Sequence, residues 1–119
     1  MSERRSLQAL DRLIRVREIR ARQALAASGR VETRRQAEAA LVERVERLML
    51  RAPARGPMLA LAASARVAGD AVLGALADDS RARLAATRTE QARLAQALTK
   101  ARAAVDAAMA RRADREDEA

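Results

Sequence analysis

The sequence predicts an all-α fold: two long helices that form an antiparallel coiled-coil hairpin. Three observations lead there. Leu84, Thr87, Gln91, Leu94, Leu98, Ala101, Val105 and Ala108 recur in alternating steps of three and four, the spacing of a coiled-coil seam. The 119-residue chain has no Phe, Tyr or Trp, and the 50% of it that counts as hydrophobic is mainly alanine. Alanine buries little area, so at about 25 cal/mol per Å² a thick core is out of reach and closely approaching helices remain. Finally, one stretch breaks helix strongly: Ala52-Pro53-Ala54-Arg55-Gly56-Pro57. Val, Ile and Thr are scattered without alternation, so strands are not expected.

The first helix is expected over 3–51. Ser2 or Ser6 caps it and Glu3 suits the positive end of its dipole. Its seam runs through Leu7, Leu10, Ile14, Arg17, Ala21, Ala24, Ser28 and Val31 and resumes at Leu41, Val45 and Leu48. Joining the two takes an extra step of three near Arg34, a stammer that overwinds the helix. Gly29 lies beside it, at a helix cost of about 1 kcal/mol relative to Ala. This stretch is expected to be the loosest of the first helix.

The turn is expected at 52–57, where each residue before a proline is pushed away from helical angles. Pro57 suits the start of a second helix, since its missing donor does no harm there. That helix is expected over 58–112, softened early by Gly69 and Gly74 and carrying the seam described above. The hairpin thus takes in 1–112, and 113–119 reads as a frayed acidic tail. Charge matching favours a register in which paired residue numbers sum to about 111. Arg4 and Arg5 then lie near Asp106, Asp11 near Lys100, Glu18 near Arg93, Arg30 and Arg34 near Asp78 and Asp79, and Glu43 and Glu46 beside Arg66. Each exposed pair contributes only about 0 to 1 kcal/mol, so such pairs choose the alignment more than they stabilise it.

Chemistry is sparse. With no Cys and no His, disulfides and the usual zinc ligand sets are excluded. There is no Gly-rich phosphate loop and no Ser beside a plausible base, so no catalytic residue, metal, cofactor or small-molecule substrate is expected. Glu116-Asp117-Glu118 reads as solvated carboxylates rather than a metal cluster, because nothing holds them in place. The most apolar window, 58–77, carries Arg66 and Asp70 near its centre, which argues against a bilayer span. Ser2-Glu3-Arg4-Arg5 does not open a secretory leader, so a cytoplasmic location is expected.

Twenty-four Lys and Arg against sixteen Asp and Glu give a net charge of +8, compatible with nucleic acid, an acidic protein surface or anionic lipid. Arg4, Arg5, Arg12, Arg15, Arg17, Arg20 and Arg22 crowd into nineteen residues against Asp11 and Glu18. Two readings stand: a solvated face, or a surface that docks on an acidic partner, with Lys100, Arg102, Arg111 and Arg112 adding to the same end. Nucleic acid is the rival, but aromatic platforms for single strands and any helix-turn-helix or zinc module are missing. Arg17, Arg34 and Glu38 fall on the first seam, and Thr87 and Gln91 on the second. Either their long side chains snorkel outward or they set register at some cost in stability. Leu50, Met58, Leu61, Val72, Leu73 and Leu76 cannot all face one antiparallel helix, so they either broaden the core near the turn or form a partner-binding apolar patch.

The run Leu10-Asp11-Arg12-Leu13-Ile14-Arg15-Val16-Arg17-Glu18-Ile19-Arg20-Ala21-Arg22-Gln23-Ala24-Leu25 resembles the opening of the FliJ family of flagellar export proteins and of the similar YscO-type injectisome stalks. A leucine-rich turn leads into an Arg-Glu pair and then into small residues at helical spacing. The resemblance implies an antiparallel coiled-coil stalk of a bacterial type III export apparatus. The end with both termini would enter the export ATPase ring and promote its activity, and the half near the turn would meet the export gate or export chaperones. Leu10, Leu13 and Ile14 match the family's packing positions, and Arg17 and Glu18 its charged pair facing the ring. The implied location is cytoplasmic, peripheral at the inner membrane through partners.

Overall fold

Ala, Leu, Arg and Gln dominate both proline-free stretches and are strong helix formers, and both stretches are helical. The computed structural model describes residues 2–50 and 59–118, with side chains from 65 onward in the second stretch. Helix α1 is Ser2–Met49 and helix α2 is Leu59–Glu118. The expected turn at 52–57, Met58 and the side chain of Leu61 lie outside the described residues. At the end of α1, the Leu50 N–H is shared between the carbonyls of Glu46 and Arg47, both at 3.2 Å, a three-centre bond common at helix termini.

The segment expected as a frayed tail after 112 is instead helical through Glu118. Carboxylates at a helix C-terminus oppose its dipole, but here arginines answer them: Arg112 pairs with Glu116 at 2.9 Å and Arg115 with Glu118 at 3.9 Å.

The hairpin divides into two compact units, each built from a stretch of both helices. The first joins Met1–Glu32 to Glu90–Ala119. Leu10, Val31 and Ala108 are buried in it, while Ile14, Ala24, Leu94, Leu98, Ala101 and Val105 are half-buried. Arg112 bonds Asp11, Arg17 donates to the Ala104 carbonyl and Gln91 donates to Glu32. Numbers rise along α1 as they fall along α2, so the two stretches run antiparallel. The register is not the one charge matching favours. Asp11 meets Arg112 rather than Lys100, about twelve residues further along α2. Both registers bring seam against seam. The observed register is marked both by the hydrogen bonds of polar seam residues and by the cross-helix ion pairs of Asp11 with Arg112 and Glu46 with Arg81.

The second unit is Thr33–Thr89, again antiparallel, with Glu38 accepting from Thr87 and Glu46 from Arg81. Val45, at 2% exposure, is packed among a seam whose α2 side buries Ala77, Ser80, Leu84 and Thr87. The expected stammer is absent. After Val31 the α1 seam continues in unbroken threes and fours through Arg35, Glu38, Val42 and Val45, whereas Leu41 and Leu48 are 39% and 41% exposed. Overwinding α1 to bury two leucines is unnecessary, because the polar residues it would avoid find partners. The Thr87 hydroxyl donates to Glu38 at 2.6 Å. Among the described residues, every buried side-chain nitrogen and oxygen has a hydrogen-bond partner. Ser80, 2% exposed, returns its hydroxyl to the carbonyls of Leu76 and Ala77 at 2.8 and 3.1 Å. The pairing expected of Glu46 with Arg66 is replaced by Arg81 at 2.9 Å, and Arg66 turns to Asp70 in its own helix at 3.9 Å. Asp78 and Asp79 are likewise matched within α2, by Arg81 at 3.9 Å and Arg83 at 3.0 Å.

Candidate functional site

The arginine-rich opening of α1 lies in the first unit, and helical geometry sorts its residues by direction. Positions on the seam turn toward α2, those beside it flank the grooves, and the rest face away. Arg17, expected among partner-facing residues, is a seam residue. It is half-buried, and its Nη1 donates to the Ala104 carbonyl at 2.9 Å. That carbonyl has a second lone pair beyond its helical bond, and the small side chains of Ala101 and Ala104 leave room for the arginine stem. Arg17 is therefore a bolt across the two helices. Glu18 is half-buried beside it. Arg12, Arg15, Arg20 and Arg22 are exposed.

Two shallow grooves run along the flanks of this seam. Arg17, Arg20, Lys100, Ala101 and Ala104 line one of about 320 Å³, with no carboxylate among them. The other is lined by Glu18, Ala21, Arg22, Arg102, Val105 and Asp106 and mixes both signs of charge. The first is suited to a carboxylate-bearing partner: two guanidinium groups and an ammonium border a floor of alanine, and guanidinium is weakly hydrated for a cation. Lower in the unit, Arg112 is held by Asp11 and by Glu116. These two hydrogen bonds raise its pKa above the ordinary arginine value, so its charge is spent inside the hairpin.

Val16 and Ile19 escaped the sequence reading, which followed one seam only. They lie outside it at 45% and 47% exposure, between the outward arginines, and their off-seam helical positions were the available signal. In the second unit Leu50 is 85% exposed, Val72 and Leu76 are exposed and Leu73 is half-buried. Part of the expected apolar patch is thus open to solvent.

Among the described residues no group of three or more His, Cys, Asp or Glu is arranged to hold a metal ion, and no helix is long and apolar enough to cross a membrane. The chain matches no protein-family model, no curated protein and no solved structure. What the fold defines is a coiled-coil hairpin of two helices with a basic surface on its first unit.

Proposed function

We propose that the chain is a non-enzymatic coiled-coil stalk of a type III protein export apparatus, similar to the FliJ and YscO-type proteins. In this reading its first unit docks into the export ATPase ring and promotes turnover, and its turn-proximal apolar residues meet the export gate or export chaperones. It acts in the cytoplasm and reaches the inner membrane only through these partners.

The observation that carries the reading is the set of exposed arginines 12, 15, 20 and 22 in the same unit as the beginning of α1 and the end of α2. Among the described residues none of the four has a carboxylate partner within the protein. Unmatched cations at the end of a helical hairpin favour electrostatic docking on an acidic surface, with an association rate that falls as salt rises. Reversing Arg12, Arg15 and Arg20 to Glu tests it. ATPase stimulation is expected to fall at least tenfold while helicity holds, since none of the three is on the seam. Undiminished stimulation by the reversed variant overturns the docking reading.

A further inference from the structure

Beside the seam, α1 of the first unit carries a second stripe. Arg12, Arg15, Val16 and Ile19 lie on the face turned away from α2, Arg22 continues the row three residues on at the rim of the groove it shares with Asp106, and all five are exposed. Over the ten steps from Arg12 to Arg22 the helix rises about 15 Å. No carboxylate stands on the stripe. The three nearby are off it, Asp11 on Arg112, Glu18 half-buried on the flank and Asp106 across the groove from Arg22. Some exposed arginines elsewhere have carboxylate partners, as with Arg47 and Glu43 at 2.6 Å or Arg83 and Asp79 at 3.0 Å. Among the described residues Arg12, Arg15 and Arg22 have none.

We propose that Val16 and Ile19 are the apolar centre, and Arg12, Arg15 and Arg22 the cationic border, of a surface that binds an acid-rimmed apolar patch on a protein partner. The inference rests on the stalk reading and names the face through which the ATPase ring is engaged. Three features favour a protein over other polyanions. An apolar centre bordered by arginine is the anatomy of an interface hot spot, where the border excludes water from the centre. Val and Ile are stiff at χ1 in a helix, so little side-chain entropy is lost on docking. A phosphate backbone, in contrast, would engage the arginines and leave both aliphatic side chains in water, and two half-exposed side chains are too small an apolar face to enter lipid.

The test uses the full chain and the purified export ATPase of the same cell, with affinity measured at about 0.15 M and about 0.5 M salt. Val16→Ala with Ile19→Ala is expected to weaken binding about tenfold at both salt concentrations. It leaves the seam intact and raises helix propensity, so the hairpin is retained. Arg12→Gln, Arg15→Gln and Arg22→Gln together are expected to weaken binding mainly at the lower salt. Val67→Ala, exposed in the other unit, is the control and is expected to bind like the native chain. If the native chain binds and the Val16/Ile19 variant binds within twofold of it, the proposed face is wrong and the stalk reading survives. If the native chain does not bind the ATPase, the stalk reading fails and takes the face with it. Duplex DNA and phosphatidylglycerol vesicles are the parallel probes. Tighter binding to either, lost with the arginines and kept without the aliphatic pair, overturns the assignment to a protein partner.

Discussion

Replacing Val45 by alanine separates the observed seam from the one expected of a stammered helix. Val45 is 2% exposed, so the change removes two methyl groups from full burial. At about 0.8 kcal/mol per buried carbon the transfer loss is about 1.6 kcal/mol, and incomplete collapse around the gap adds some tenths. Alanine returns about 0.5 kcal/mol through helix propensity. The net cost is about 1.3 to 1.6 kcal/mol, which for a chain of this length lowers the melting temperature by about 5 to 6 °C. Leu41→Ala removes a larger side chain, but one that is 39% exposed and off the seam, and a cost below about 1 kcal/mol is expected. Thermal and urea unfolding followed by circular dichroism at the helix band gives both values. If Leu41→Ala destabilises as much as Val45→Ala, the seam runs through Leu41 after all and the unbroken heptad is refuted.

Other consequences of the packing are testable in the same way. A double-mutant cycle with Thr87→Val and Glu38→Met should return a coupling of about 1 to 2 kcal/mol, because the hydroxyl of Thr87, 4% exposed, donates to the carboxylate at 2.6 Å. Ser80→Leu should cost about 1 to 3 kcal/mol by overpacking, since a residue 2% exposed on the seam has no room for three more carbons, and urea unfolding will show it. Gly29→Ala and Gly74→Ala should each stabilise by up to about 1 kcal/mol, read as a rise in melting temperature, because an added Cβ meets nothing within 4 Å at either helical site. Cysteines replacing Asp11 and Arg112 should be joined by a short bismaleimide within one chain, whereas cysteines replacing Asp11 and Lys100 should not. Gel mobility distinguishes the two, and the reverse result restores the charge-matched register.

The α2 seam was legible from the sequence because the three-and-four spacing runs from Leu84 to Ala108 with polar residues only at Thr87 and Gln91, and a periodicity of that length has one structural meaning. The α1 seam was legible only to Val31. Beyond it, Leu41 and Leu48 outweighed Val42 in hydrophobicity, and Arg35 and Glu38 looked unfit for an interface. Their fitness depends on what lies opposite, which the spacing of α1 alone does not contain. Register was hidden for a related reason. With 34% of residues charged, many alignments give acceptable ion pairs, and heptads repeat in any case. The bonds that select one alignment, Arg17 to a backbone carbonyl and Gln91 to Glu32, are made by residues a sequence reading treats as interruptions. At the candidate site the arginines were visible as a cluster, but their division into inward Arg17, outward Arg12 and Arg15, and groove-flanking Arg20 and Arg22 follows from the seam.

Of the four most enclosed positions, Ala77, Ser80 and Ala108 carry side chains among the smallest available, and Val45 is the largest. An interface made mostly of such groups is thin: a layer adds from a fraction of a kilocalorie to about 1.5 kcal/mol, and the total is spread over many layers. Such a pair of helices parts by successive opening from whichever end is stressed, like a zip. Amide exchange along α1 and α2 should therefore grade smoothly, and a protein that seizes one end gains leverage over the layers next to it.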